Sequence, residues 1–88
     1  MILDVRQRSE FHEGHIKGAL NIELGELQEH LDGIPREIPL VTVCAGGMRA
    51  SMAGSILQRD ERENVEILEE SGTAAWIEQG YPSATGEE

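Results

Sequence analysis

Basic residues are scarce in this chain, cysteine occurs once, and no apolar run is long enough to span a bilayer. Each shortage excludes something. Seven Lys and Arg stand against 17 Asp and Glu, for a formal net charge of −10. So acidic a chain argues against nucleic acid or an anionic membrane surface as partner, while a basic partner protein fits. One cysteine cannot form an internal disulfide. Met1-Ile2-Leu3 runs directly into Asp4 and Arg6 without the apolar core of a signal peptide, so the expected setting is soluble and cytoplasmic. No internal repeat or low-complexity segment interrupts the chain. Its 88 residues allow one domain and one site, because a chain of this size buries only roughly 60–65% of its unfolded surface.

What is present is an apolar pattern that changes period in regular alternation, which predicts an α/β domain rather than a bundle or a sandwich. Ile2-Leu3 with Val5 reads as a strand. Ser9 to Gly14 reads as one helical turn with a serine cap and a glycine stop. His15 to Ile22 reads as loop and short strand. Leu24, Leu27 and Leu31 then fall at helical spacing, with Gly33 able to end the helix. Pro35 and Pro39 bracket a loop, and the unbroken run Leu40 to Val43 suits a central parallel strand covered on both faces. Ala50, Ala53, Ile56 and Leu57 give a helix face whose small residues let it lie close to a sheet. Asp60-Glu61-Arg62-Glu63 reads as a solvated turn, Val65 to Leu68 as a strand, and Thr73 to Gln79 as a last short helix stopped by Gly80 and Pro82. The expected domain is 1–82, with 83–88 a polar, frayed tail. A strand beginning at Met1 has nothing before it to cover it, so the N-terminal element is expected to be minimal or missing.

Chemistry is expected at Cys44. It ends the apolar strand and opens CAGGMRASMAGSILQR, which passes from a glycine loop into an amphipathic helix. A strand-loop-helix junction aims backbone N–H groups at the atom that begins the loop, and both they and the nearby Arg49 favour a charged thiolate. Gly46 and Gly47 let the backbone curl, so that the amides of Ala45, Gly46, Gly47, Met48 and Arg49 converge on one point. The sequence thus proposes a nucleophilic sulfur with an anion cradle.

Taken together, ILDVRQRSEFHEGHIKGALNIELGEL, LVTVCAGGMRASMAGSILQ and VEILEESGTAAWIEQGYP closely resemble the rhodanese-like domain family over nearly the whole chain. Three motifs carry the resemblance in the family's order: Asp4-Val5-Arg6, the turn Gly14 to Asn21, and the cysteine loop running to Ala53. The resemblance implies a doubly wound α/β fold with a central parallel sheet flanked by short helices, and a site at the carboxyl ends of the strands. It further implies a sulfurtransferase that takes sulfane sulfur from thiosulfate or a persulfide and passes it to a thiol or cyanide, carrying it as a Cys44 persulfide. Cys44 matches the family's nucleophile, Arg49 would stabilise an anionic donor, and the amides of Ala45 to Arg49 would hold the transferred sulfur. Asp4, Arg6 and His15 match positions that support the site. No cofactor or metal is implied. The partners implied are a small sulfur donor and a thiol acceptor, with a fused or separate sulfur-metabolism protein as a further partner.

The departures from the family set further expectations. Ala45 and Gly46 bring no charge where thiosulfate-using members often carry basic residues. Glu69-Glu70-Ser71-Gly72 replaces a glycine pair. Both predict a poor fit for a dianionic donor. Four residues, Ala45 to Met48, separate Cys44 from Arg49, whereas dual-specificity phosphatases have five and so a wider cradle. A phosphatase or arsenate reductase is therefore the weaker alternative. The stronger rival is an accessory, non-catalytic module of a larger sulfur-metabolism protein.

Each sharp reading has a bland counterpart. A lone cysteine after a strand is often a small buried hydrophobe, and Arg49 can simply face solvent. His12 and His15 have a spacing that can suggest metal, but Gly14 between them breaks a shared helix face, and His15 is expected instead to fix its turn by hydrogen bonding. Asp4 and Arg6 read as a structural pair, Trp76 as core, and the acidic run after Arg59 as a solvated face.

Overall fold

The computed structural model describes residues 1–68, 77–78 and 80–86. Four short strands form a parallel sheet in the order β3-β1-β4-β5, where β1 is Ile2–Asp4, β3 Leu20–Asn21, β4 Leu40–Val43 and β5 Val65–Ile67. The register sets Leu3 between Leu20 and Thr42, and Thr42 opposite Ile67. β4 is central because its Leu-Val-Thr-Val run buries side chains on both faces of the pleat: Leu40, Thr42 and Val43 are buried and Val41 half-buried. The hydroxyl of Thr42 is satisfied by the carbonyl of Ala50, 2.9 Å away, which ties the strand to the following helix. This is the expected α/β domain with a central parallel sheet and short helices.

Helix α1 (Arg8–Glu13) follows β1, and α2 (Met48–Arg59) follows β4. The helix α2 lies on β4 and β5 through Ala50, Ala53, Gly54 and Leu57, all buried. Its small residues permit the approach. A Cβ placed on Gly54 would stand 2.6 Å from Ile67 Cδ1, closer than real atoms come. Ala50, Ala53 and Leu57 join Leu3, Val5, Leu27, Ile34, Leu40 and Cys44 in one core.

Four local expectations need correction. The segment Leu24–Gly33 winds as a 3₁₀ helix rather than an α-helix. Its apolar pairs Leu24/Leu27 and Leu31/Ile34 are three residues apart, which suits a three-residue turn, and Ile34 beyond its end is 1% exposed. The cap of α1 is Gln7, in a reciprocal box with Glu10, and Ser9 lies inside the helix. Ser83–Ala84, read as part of a frayed tail, is a strand (β6) that pairs antiparallel with His15–Ile16 (β2); Lys17 N–H reaches Pro82 O at 3.1 Å and Gly86 N–H reaches His12 O at 2.8 Å.

The fourth correction concerns the run after α2. Its turn is a tight helix stop in which Glu61 adopts φ 63, Glu61 N–H bonds Gln58 O and Arg62 N–H bonds Leu57 O. That geometry turns Arg62 inward. It is 5% exposed, and its guanidinium donates to the carbonyls of Leu31, Ile34 and Pro35 and to Asp60 Oδ2. Arg62 therefore holds the end of the 3₁₀ helix to the end of α2 instead of lying in solvent. The expected helix from Thr73 and its Trp76 lie outside the described residues, apart from Ile77 and Glu78, and so does the loop Glu69 to Gly72.

Candidate active site

Cys44 directly follows β4, at the carboxyl end of the central strand, and α2 begins four residues later. The loop between them is turned by Gly47, the N-cap of α2, whose φ of 95° is left-handed backbone that favours glycine. Gly46 carries no such requirement, and a Cβ there would meet nothing within 4 Å. The curl expected of both glycines is the work of Gly47.

Having no side chain, Gly47 cannot cap α2 itself, and the sulfur takes that place. Cys44 Sγ accepts the N–H of Gly47 at 3.0 Å and the N–H of Ala50, third in the helix, at 3.3 Å. Two N–H groups at the start of the helix thus converge on one sulfur atom. Ala50 was absent from the expected cradle. Among the described residues, the amides of Ala45, Gly46, Met48 and Arg49 do not bond the resting sulfur. Cys44 is 1% exposed, while Ala45, Gly46 and Met48 around it are exposed.

Arg49, in the first turn of α2, stands beside this loop but directs its guanidinium at Glu10 of α1. Nη1 donates to Oε1 at 2.7 Å and Nη2 to Oε2 at 3.1 Å, and each side chain is 33% exposed. The hydrogen bond from Arg49 holds the Glu10 carboxyl below its usual pKa, against partial burial. In turn Glu10 holds Arg49 above its usual value, and the charges of Cys44 and Asp4 act in the same direction. Glu10 is the partner of Arg49 that sequence reasoning missed. The one available signal was its place three residues after Gln7, the mark of a capping box, which says nothing of Arg49.

The supporting residues gather on the neighbouring junction. Asp4, at the end of β1 and fully buried, accepts Arg6 Nε at 3.0 Å and Nη2 at 2.9 Å, and Arg6 Nη2 also donates to Gly14 O at 2.8 Å. That pair ties β1 to the start of β2 with its buried charges matched. His15, also fully buried, donates from Nδ1 to Phe11 O at 2.7 Å and stacks its ring on Phe11 at 3.6 Å. Asn21 donates to the carbonyls of Asp4 and Arg6, fixing the turn of chain that crosses the sheet end. Asp4, Arg6 and His15 are thus joined through the α1–β2 junction, and Cys44 and Arg49 through the α2 N-terminus. His12 is exposed, its ring apart from the buried His15.

These elements define an open parallel α/β sheet with a thiol seated on a helix N-terminus at the carboxyl edge of its strands, where ligands of open α/β sheets bind. The chain belongs to the rhodanese-like domain family, whose model matches residues 1–79. It is 30% identical over 94 residues to the protein YibN of Escherichia coli (strain K12), covering 98% of this chain and 62% of YibN. It is 32% identical over 77 residues to the thiosulfate sulfurtransferase GlpE of Shewanella oneidensis, covering 88% of this chain and 75% of GlpE. A crystal structure of a rhodanese-related protein from Thermoplasma volcanium superposes with a TM-score of 0.85 at 33% identity, covering 96% of this chain and 82% of that one. The chain therefore spans less than two thirds of YibN. Among the described residues, no helix is long and apolar enough to cross a membrane.

Proposed function

We propose that this domain is a sulfurtransferase that carries sulfane sulfur as a persulfide on Cys44. The observation that supports it most is the convergence of the Gly47 and Ala50 N–H groups on Sγ at the start of α2. In the first step the Cys44 thiolate attacks the outer sulfur of thiosulfate or of a persulfide R–S–SH, approaching across the exposed residues of the loop. A bond forms from Sγ to that sulfur, the donor's S–S bond breaks, and the electron pair leaves with sulfite or with RS⁻. In the second step a thiolate or cyanide attacks the outer sulfur, and the pair returns to Cys44. The exchange is redox-neutral, and no cofactor enters it.

The amides of Ala45, Gly46, Met48 and Arg49 would hold the outer sulfur of the persulfide, beyond the sulfur already held by Gly47 and Ala50. Arg49 would stabilise an anionic donor, with Asp4, Arg6 and His15 keeping the adjoining junction rigid. The setting proposed is cytoplasmic, with a small sulfur donor and a thiol acceptor. A phosphatase or arsenate reductase fits less well, because four residues between Cys44 and Arg49 leave a tight ring.

A second reading, an accessory module working with a fused or separate sulfur-metabolism protein, is favoured by the burial of Cys44 and by the 62% share of YibN that the chain spans. Intact-mass spectrometry separates the two. After brief exposure to thiosulfate or glutathione persulfide, the wild type should gain one sulfur and the Cys44→Ser variant none. No gain in a folded wild type would overturn the transferase reading in favour of the module.

A further inference from the structure

Arg49 is already paired in the resting domain. Glu10 grips it with both carboxylate oxygens, at 2.7 and 3.1 Å, and the carboxylate is itself held in place because Oε1 accepts the Gln7 N–H at 3.1 Å. The other arginine of this region, Arg6, is committed to Asp4 and to the carbonyl of Gly14. Each guanidinium therefore has its charge matched from within the chain. Arg49 is nevertheless within electrostatic reach of the sulfur, since the charge of Cys44 adds to that of Glu10 in raising its pKa. An anion that arrives at Cys44 must share Arg49 with Glu10 or displace it, in a chain whose net charge is −10.

The geometry points to Glu10 as a positioning residue that sets the donor class: by holding Arg49 as an ion pair, it favours a persulfide of low charge over the thiosulfate dianion. This rests on the sulfur-transfer reading of Cys44. Thiosulfate enters with two negative charges and departs as sulfite with two, so throughout the reaction it meets a guanidinium whose charge Glu10 already cancels. A persulfide with an uncharged R group can be attacked as neutral R–S–SH and departs as RS⁻ with one. In both cases Sγ bonds the outer sulfur and the leaving group takes the electron pair. A fixed carboxylate therefore discriminates by charge difference, as a repulsive element does in any selective site.

Glu10→Gln tests this with little structural cost, because glutamine at the third position of α1 still accepts the Gln7 N–H while losing its charge. Loading of Cys44 would be timed by intact mass with thiosulfate and with 2-hydroxyethyl persulfide at matched ionic strength. Wild type should load faster from the persulfide. The variant should load about tenfold faster from thiosulfate and less than about twofold differently from the persulfide, which is the size expected for one partly screened charge. In an Arg49→Met background, Glu10→Gln should leave the donor ratio within about twofold, because Glu10 acts through Arg49. A wild type that prefers thiosulfate, or a donor ratio unmoved by Glu10→Gln in a protein that does load, overturns the role of Glu10 and leaves sulfur transfer standing. A folded wild type that loads from neither donor overturns the transfer reading, and this inference with it.

Discussion

Arg49 sits just inside the N-terminal end of α2 with a third of its side chain in solvent and one carboxylate as partner, whereas Arg62, just past the other end, is 2% exposed at its side chain and satisfies Asp60 and three carbonyls. The first is open to solvent, so an incoming anion would compete with Glu10 alone for it. The second has no exchange open to it, since leaving any acceptor strands a buried group. What separates Arg49 from Arg62 is the number and exposure of their acceptors, not their distance from a helix.

The comparison breaks hardest at Arg62. Arg62→Ala should cost about 3 kcal/mol, because it leaves buried carbonyls and Asp60 without their donor. In a domain this small that lowers Tm by about 12–24 °C in a circular-dichroism melt. A fall below about 4 °C would return Arg62 to the solvated face. Gly47→Ala, at the opposite end of the helix, should cost about 1–2 kcal/mol through its left-handed backbone and should slow sulfur loading, while Gly46→Ala should stay within about 0.5 kcal/mol in the same melts. Glu61→Gly relieves the left-handed residue that, among the described residues, is not a glycine, and should stabilise by about 1 kcal/mol, read by urea titration.

Arg49→Met sharpens the contrast from the other side. Its stability change should be under about 1 kcal/mol, as for other partly exposed pairs, while its loading rate from an anionic donor falls. Equal damage to both would make Arg49 a structural residue like Arg62. The smallest effect is a pH dependence. Folding lowers the Glu10 pKa, so the stability from that carboxylate is present above its unfolded value of 4.5 and is lost as pH falls through the lower folded value. The gap between wild type and Glu10→Gln, under about 1 kcal/mol at neutral pH, should close in acid; a gap constant with pH would assign it to the cap hydrogen bond instead.

The features that sequence made legible are those that depend on near neighbours. The Leu40 to Val43 strand announces itself by an unbroken apolar run, α2 by small residues at helical spacing, and the cysteine loop by its glycines. Apart from the 3₁₀ winding of Leu24–Gly33 and the Gln7 cap, the illegible ones depend on partners brought from far along the chain. Glu10 and Arg49 are 39 positions apart, and nothing in either segment names the other. Arg62 looks solvated among Asp60, Glu61 and Glu63, because its acceptors are backbone carbonyls nearly thirty residues earlier, and carbonyls leave no mark in a sequence. Ser83-Ala84 is too short and polar to read as a strand, and forms one only because His15-Ile16 offers an edge.

That last pairing bears on how the domain folds and opens. β2 lies in the first fifth of the chain, and its partner β6 is among the last residues described. Closing so long a loop costs only logarithmically more entropy than closing a short one, so the penalty at equilibrium is modest, while contacts this distant in sequence slow folding. The junction joined to Asp4 and Arg6 is expected to be an early opening, which hydrogen exchange at the Lys17 and Gly86 amides would report.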